Sequence, residues 1–175
     1  MLLELAGKII QFSQSHGIAS LLSFSIALVE GQQLHTFSFG GRTRLYLVQR
    51  GKTEQLSTNV ASQQGGASGP VAAGEIENGY CTKILAIGDK VILCTDGLYS
   101  MLQDIEELGV IERYDNPTFS AKHLTSIAMG RNVDQNVSAG VINYGKRLTL
   151  KTNPALIGGG IWLYTKSRDD RMDDD

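Results

Sequence analysis

The sequence has no excess charge of either sign and contains no long apolar run. Its 16 lysine and arginine residues are balanced by 18 aspartate and glutamate residues, so it lacks the positive field that draws proteins onto nucleic acid. No stretch approaches the roughly 18 apolar residues that a membrane-spanning helix needs. The first residues, with Glu4 and Lys8 among the leucines, do not resemble a secretory signal. We therefore expect a soluble, intracellular (by default cytoplasmic) protein with no nucleic-acid partner and no membrane span.

Cysteine is scarce, and the residues that could act as nucleophiles or metal ligands are scattered. Cys94 lies within an apolar run, where a buried and inert thiol is expected, and nothing indicates that it pairs with Cys81. The histidines at positions 16, 35 and 123 have no ligand spacing, and we interpret them as structural or surface residues. No serine has a base at a recognisable spacing, so nucleophilic catalysis is not indicated.

The size and composition of the chain support one folded domain. It has 175 residues, of which 42% are hydrophobic, enough for a single core. We assign residues 1–166 to this domain. Residues 167–175 form a charge run rich in aspartate, which we expect to be an acidic, flexible tail.

Hydrophobic periodicity predicts an opening helix that ends at His16-Gly17, where glycine suits the left-handed cap position. The period then changes to two, which is typical of strands. A hairpin is predicted between residues 82–87 and 91–95, turning through Gly88-Asp89-Lys90. A helix is predicted over 98–108, and Asn116-Pro117 begins another that ends at Gly130.

The remaining segments complete a mainly antiparallel pattern. The predicted strands lie at about 21–28, 34–39, 44–48, 137–144, 148–151 and 161–165, and a glycine-rich loop covers 61–79. The first three strands are joined by turns too short for a parallel crossover, so they must be antiparallel neighbours. Strands of this kind, with helices gathered at both ends, place the chain in the α+β class.

Asp96 is the strongest candidate for a metal-binding residue. It follows the apolar strand that ends near Thr95 and is followed at once by Gly97. A carboxylate at such a strand exit can hold a hard cation such as Mg²⁺ or Mn²⁺, which prefer oxygen ligands. Spacing alone favours a simpler interpretation, in which Asp96 only caps the following helix.

Three segments, taken together, resemble the PPM (type-2C) family of metal-dependent protein phosphatases. Residues 88–98, Gly-Asp-Lys-Val-Ile-Leu-Cys-Thr-Asp-Gly-Leu, are similar to a late metal-ligand motif of that family. Residues 39–47, followed by Gly51 and 54–57, look like its central strand pair, and residues 134–138 look like its final metal motif. The likeness spans roughly residues 17–144.

The resemblance implies a β-sandwich of mainly antiparallel strands flanked by helices, with two divalent cations between the sheets. It implies Mg²⁺ or Mn²⁺ as cofactor and hydrolysis of Ser/Thr phosphoproteins by a metal-activated water. Such a centre needs several carboxylates, because two cations must be held close together. The candidate metal-site residues that the resemblance implies are Asp96, Gly97 and Asp134.

The chain departs from the family pattern at most of the acidic positions. The family's first strand and its metal-bridging aspartate should precede the opening helix, and we expect that strand to be missing. Arg42 stands where the central motif places aspartate. In the final motif the expected aspartate falls at Gln135, beside Asn136, with Asp134 one position away. These departures indicate a degenerate metal site, for which binding of Mg²⁺ or Mn²⁺ and the absence of any cation are both open alternatives.

Three functions are compatible with this pattern. The leading hypothesis is a pseudophosphatase that serves as a binding or assembly module. The second is an active phosphatase with a minimal metal site, to which a partner chain or the phosphoprotein substrate contributes a ligand. The third is a structural subunit whose exposed sheet edge takes a strand from a protein partner or from another copy.

Overall fold

The computed structural model describes residues 2–18, 22–57, 79–131 and 133–145, together with the backbone of residues 161–166. Two antiparallel sheets are flanked by helices, which confirms the α+β class. No helix in these ranges is long and apolar enough to cross a membrane. In chain order the elements are α1 (Leu2–Ser15), β1 (Phe24–Glu30), β2 (Gln33–Phe39), β3 (Thr43–Gln49), β4 (Lys52–Gln55), β5 (Tyr80–Ile84), β6 (Lys90–Thr95), α2 (Asp96–Tyr99), a 3₁₀ helix (Ile105–Arg113), α3 (Pro117–Gly130), β7 (Val137–Asn143) and β8 (Ile161–Lys166).

The chain forms two compact units, and the first comprises Met1–Leu45 and Gln55–Leu85. Its sheet has the order β1-β2-β5, and both strand pairs are antiparallel. Helix α1 buries its apolar stripe against this sheet, because residues three to four apart share one helix face. The buried cluster consists of Leu2, Ala6, Ile10, Phe37 and Phe39. Gly17 ends the helix with a φ of 69°, as its cap position predicts.

The second unit comprises Tyr46–Glu54 and Ala86–Asp175. Its five-stranded sheet has the order β4-β3-β6-β7-β8. Side chains from β3, β6 and β7 pack with those of the 3₁₀ helix and α3 in one core, which includes Tyr46, Ile92, Leu124, Ala128 and Val141. Cys94 is buried in the same core, as predicted, and both cysteines are free. The assignment of residues 1–166 to a single domain stays a prediction.

The predicted hairpin between residues 82–87 and 91–95 is wrong. Strand β5 pairs with β2 in the first sheet, whereas β6 pairs with β7 in the second. The turn between β5 and β6 is hydrogen-bonded to Tyr144, the residue after β7. Gly88 N–H donates to Tyr144 O at 2.7 Å, and Tyr144 N–H donates to Asp89 O at 2.9 Å. The short loop therefore carries the chain from one sheet to the other instead of folding it back on itself.

The single helix predicted over 98–108 is also wrong. Helix α2 ends at Tyr99, and the 3₁₀ helix begins only at Ile105. The interruption has a local cause, because the Asp104 side chain accepts a hydrogen bond from Glu106 N–H at 3.2 Å and starts a new helical segment. The prediction for α3 is confirmed, with Asn116 accepting from Thr118 N–H at 2.8 Å.

Several predicted segments lie outside the described residues. They are the strand at 148–151, the tail at 167–175 and, apart from Gly79, the glycine-rich loop at 61–79. The strand predicted at 161–165 corresponds to β8, and the one at 137–144 corresponds to β7.

A buried carboxylate holds the turn that leads into β6. Asp89 is 3% exposed, and its Oδ2 accepts hydrogen bonds from Ala86 N–H at 2.6 Å and from the side-chain amide of Gln49. The next residue, Lys90, is equally buried and donates its ammonium to Tyr114 O. Burial lowers the pKa of Lys90, and the nearby Asp115 and Glu112 oppose that shift. The start of β6 is thus fixed by polar groups inside the protein.

We predict that Asp89→Ala destabilises the protein by about 2–3 kcal/mol, because it removes the buried carboxylate that accepts hydrogen bonds from Ala86 N–H and from the Gln49 side-chain amide. Chemical denaturation measures the change. Asp104→Ala is the matched control, since it removes an exposed cap and should cost only about 1 kcal/mol. Equal losses in the two variants would contradict the role assigned to Asp89.

An ion pair links the end of α3 to the 3₁₀ helix. Arg131 Nη1 donates to Glu107 Oε2 at 2.7 Å and to Met101 O at 2.5 Å. The hydrogen bond from Arg131 is the main reason that the pKa of Glu107 is lowered. A carboxyl group whose folded pKa is depressed stabilises the protein above its unfolded pKa, and this contribution disappears as the pH falls through the folded value.

We predict that Arg131→Met lowers stability most at neutral pH, and that the difference from wild type shrinks as the pH falls below about 4.3, the ordinary pKa of glutamate. Urea denaturation midpoints between neutral and acid pH measure this. Lys8→Met serves as control, because Lys8 pairs with Glu4 on an exposed helix face and should change stability little at any pH. A difference that stays constant or grows in acid would be evidence against the Glu107 pair.

Candidate metal centre

The segments predicted to carry metal ligands meet where β6 ends and β7 begins. Because these strands are antiparallel, with Cys94 opposite Ala139, the residues after β6 lie beside those before β7. The Thr95 hydroxyl joins the two segments. It donates to Asn136 O at 3.3 Å and accepts from Ser138 N–H at 3.0 Å. The late and final motifs identified in the sequence are therefore spatial neighbours.

Gly97 is buried at this junction and makes a close backbone approach. A Cβ atom added to it would lie 2.4 Å from Asn136 O and 3.0 Å from Asn136 C. No ordinary side chain tolerates such distances to backbone atoms, so glycine is required here by sterics. The glycine lets the start of α2 rest directly on the segment that enters β7.

Asp96 is the first residue of α2 and is half-buried. Its Oδ1 accepts a hydrogen bond from Gly97 N–H at 3.0 Å, and its backbone carbonyl accepts from the Ser100 N–H and hydroxyl. Thr95 rather than Asp96 occupies the N-cap position of α2, so the capping role raised by the spacing is wrong, and Asp96 lies in the first turn of the helix. A carboxylate has about four lone-pair sites, so one bond to an amide leaves it able to ligate a cation as well.

The other predicted site residues are placed less favourably. Asp134, Gln135 and Asn136 are exposed at the bend that precedes β7. Arg42 is exposed in the first unit, where its backbone N–H donates to the Ser23 hydroxyl at 3.0 Å. Among the predicted site residues of the second unit, Gly97 packs directly against the backbone of Asn136.

The donor set described by the structure does not fit a two-cation centre. In residues 2–18, 22–57, 79–131 and 133–145, no three His, Cys, Asp or Glu side chains are close enough to hold a metal ion together. Two divalent cations held close together need several oxygen ligands, mostly carboxylates. Asp96 and Asp134 alone do not provide them.

Two polar arrangements in the first unit were not found from the sequence. The hydroxyls of Ser23, Ser25, Ser38 and Thr43 form a chain, with Ser25 Oγ 2.8 Å from Thr43 Oγ1 and 3.1 Å from Ser38 Oγ. The chain ends at Phe39 O, to which Ser23 donates. The alternation of hydroxyl residues along β1 and β2 was the signal that could have revealed it.

The second arrangement joins β2 to β5. His35 Nδ1 lies 2.6 Å from the Tyr80 hydroxyl, and its Nε2 is 3.7 Å from Glu30 Oε2. A histidine bonded to a neighbouring strand in this way fits the structural role predicted for it. Sequence spacing carried no signal for this contact, because His35 and Tyr80 are 45 residues apart.

The sequence matches no protein-family model and no curated protein. Its fold, however, resembles several solved phosphatase structures. PppA, described as a key regulatory component of T6SS in Pseudomonas aeruginosa, is 20% identical with a TM-score of 0.57 over 80% of this chain. The SpoIIE phosphatase domain from Bacillus subtilis, presoaked with Mn, is 11% identical with a TM-score of 0.56 over 82%. The catalytic domain of the Ser/Thr phosphatase PstP, in complex with two manganese ions, is 20% identical with a TM-score of 0.54 over 77%.

The chain spans 65%, 67% and 64% of the length of these three structures, respectively. Similarity at 10–20% identity establishes the fold. The chain therefore has the fold of the PPM-type Ser/Thr phosphatases, as the resemblance in its sequence implied.

We predict that Gly97→Ala destabilises the protein by at least about 2 kcal/mol, because the added methyl group overlaps the Asn136 backbone. Thermal or chemical unfolding measures the loss. Gly7→Ala is the control: Gly7 lies within α1 with no atom near its missing Cβ, so alanine there should stabilise by about 0.5–1 kcal/mol. A neutral Gly97→Ala variant would argue against the close approach.

Proposed function

We propose that this chain is a pseudophosphatase, a PPM-type domain that acts by binding other proteins rather than by hydrolysing phosphate esters. The observation that carries the proposal is the donor set. The described residues offer no group of three metal-binding side chains, although the junction on which the family motif is built is intact.

The individual substitutions point in the same direction. Arg42, at a position where the resemblance places an acidic ligand, carries a permanent positive charge and no lone pair that could ligate a cation. Gln135 offers only a neutral amide oxygen at the other acidic position. A pair of divalent cations would thus meet less negative charge than two-metal hydrolysis requires.

Contacts that shape the scaffold around the motif are present in the described residues. Asp89 orders the turn before β6, and Gly97 allows the close contact with Asn136. A chain that has the supporting contacts of the motif and few of its ligands is suited to a role that depends on shape. The likeness to PppA, described as a regulatory component, supports a regulatory role of this kind.

An active phosphatase with a minimal metal site is the second candidate. Asp96 has its carboxylate at the position that the resemblance assigns to a metal ligand, and Asp134 lies one residue from the other assigned position. A partner chain or a phosphoprotein substrate would have to supply the remaining ligands. The cation in that case would be Mg²⁺ or Mn²⁺, because both prefer oxygen donors.

We predict that isothermal titration of the wild-type chain with Mn²⁺ reveals no saturable binding below millimolar concentration, and that Asp96→Asn behaves in the same way. The variant Gln135→Asp restores an acidic residue in the segment that enters β7, so it should bind Mn²⁺ more tightly, and this gain should disappear when Asp96→Asn is added. Asp104→Asn, a change to an exposed carboxylate, is the control.

Micromolar Mn²⁺ binding by wild type that Asp96→Asn abolishes would refute the pseudophosphatase proposal. Mn²⁺-dependent hydrolysis of a phosphoserine peptide with the same dependence on Asp96 would then establish the second candidate.

A further inference from the structure

Three polar side chains of the first unit lie close together on one face of its sheet. The strand registers place Glu30 of β1, His35 of β2 and Tyr80 of β5 on the same face, because side chains two residues apart in a strand point the same way. His35 Nδ1 is 2.6 Å from the Tyr80 hydroxyl, and His35 Nε2 is 3.7 Å from Glu30 Oε2. The imidazole therefore lies between a phenol and a carboxylate.

The ring of Tyr80 is positioned by packing. It lies against the buried cluster that α1 forms with the sheet. Its plane is inclined by 24° to the imidazole plane of His35, with 6.1 Å between the ring centroids. Tyr80 is half-buried, so part of the residue faces solvent while the packed ring keeps its hydroxyl at the imidazole.

The carboxylate of Glu30 decides which nitrogen of His35 carries the proton. Nε2 is enclosed by protein and has no hydrogen-bond partner among the described residues. A lone pair on Nε2 would face the negative charge of Glu30, whereas an N–H group there presents positive charge to it. A proton on Nε2 makes Nδ1 the acceptor, so the Tyr80 hydroxyl donates the 2.6 Å hydrogen bond.

We propose that Glu30 and His35 make the Tyr80 hydroxyl a nucleophile that accepts an acyl group from activated esters. A hydroxyl bonded to a base, which a third group orients in turn, is the general arrangement by which proteins activate weak nucleophiles. His35 is the base, and Glu30 is a positioning residue that acts through His35. The three residues lie in the first unit, so the proposal is independent of the pseudophosphatase assignment and of metal binding.

The acyl transfer needs only the ester and water besides these three side chains. The Tyr80 oxygen forms a bond to the carbonyl carbon of the ester, and its proton passes to His35 Nδ1. The bond between that carbon and the leaving oxygen breaks, and the leaving group departs with the electron pair. The imidazolium is stabilised by the Glu30 carboxylate until Nδ1 releases its proton to water.

The charges around Tyr80 favour a neutral acyl group over a phosphoryl group. The carboxylate of Glu30 repels an anionic donor. Lys83, the charged residue of β5, is three positions from Tyr80 and therefore lies on the opposite face of the sheet.

Acetylation of the full chain by p-nitrophenyl acetate tests the proposal, with mass spectrometry to measure the rate at each tyrosine. We expect Tyr80 to be acetylated about tenfold or more faster than Tyr144, because a positioned base accelerates such steps strongly. Tyr144 is the internal standard, since it is also half-buried.

Variants assign this rate to the two neighbours of Tyr80. His35→Gln should lower the rate at Tyr80 about tenfold or more, and Glu30→Gln about threefold or more, because the first removes the base and the second only the charge that orients it. His16→Gln is the matched control. It changes an exposed histidine bonded within its own segment and should leave the rate at Tyr80 unchanged.

Nitrogen NMR of the His35 ring provides a readout that a merely structural contact would not move. In the neutral imidazole of wild type the proton should reside on Nε2. In Glu30→Gln it should be shared between the two ring nitrogens, because the charge that selects Nε2 is gone.

Acetylation of Tyr80 no faster than that of Tyr144 would overturn the proposal, as would a rate that both Glu30→Gln and His35→Gln leave unchanged. A proton on His35 Nδ1 in wild type would also overturn it, because the Tyr80 hydroxyl would then accept the hydrogen bond. If His35→Gln does not fold, Glu30→Gln decides the result, since its side chain is 61% exposed.

Discussion

The antiparallel pairing of β6 with β7 organises most of the second unit. One face of the two strands supplies Ile92 and Val141 to the core beneath α3. The start of β6 is fixed by Asp89 and Lys90, and its end lies beside the segment that enters β7. If this ladder were displaced by one residue, every side chain would move to the opposite face, and the junction of Thr95, Gly97 and Asn136 would not form.

Much of the fold could be predicted because its signals are local. The stripe of α1, the cap at Asn116 and the alternation of β1 and β2 each depend on residues close in sequence. The errors arose where a distant partner decides the outcome. Residues 88–90 look like a hairpin turn, but hydrogen bonds to Tyr144 direct the chain into the other sheet.

The residues of the candidate site could be named from the sequence, but their spatial arrangement was harder to predict. The motif around Asp96 and the segment at 134–136 were identified from the sequence, and the structure places Gly97 of the first against Asn136 of the second. The contact is made by the Asn136 backbone, so the glycine is its one signal in the sequence. The hydroxyl chain of Ser23, Ser25, Ser38 and Thr43 was missed, because its members come from three separate segments.

Lys90 has a consequence for how the second unit can be observed. The residue is 2% exposed and its ammonium is bonded to Tyr114 O, so we expect an amine-reactive reagent to reach it when β6 separates from the connection that precedes α3. Most lysines lie at protein surfaces and react at once. The acylation rate of this one amine therefore measures how often the second unit opens locally.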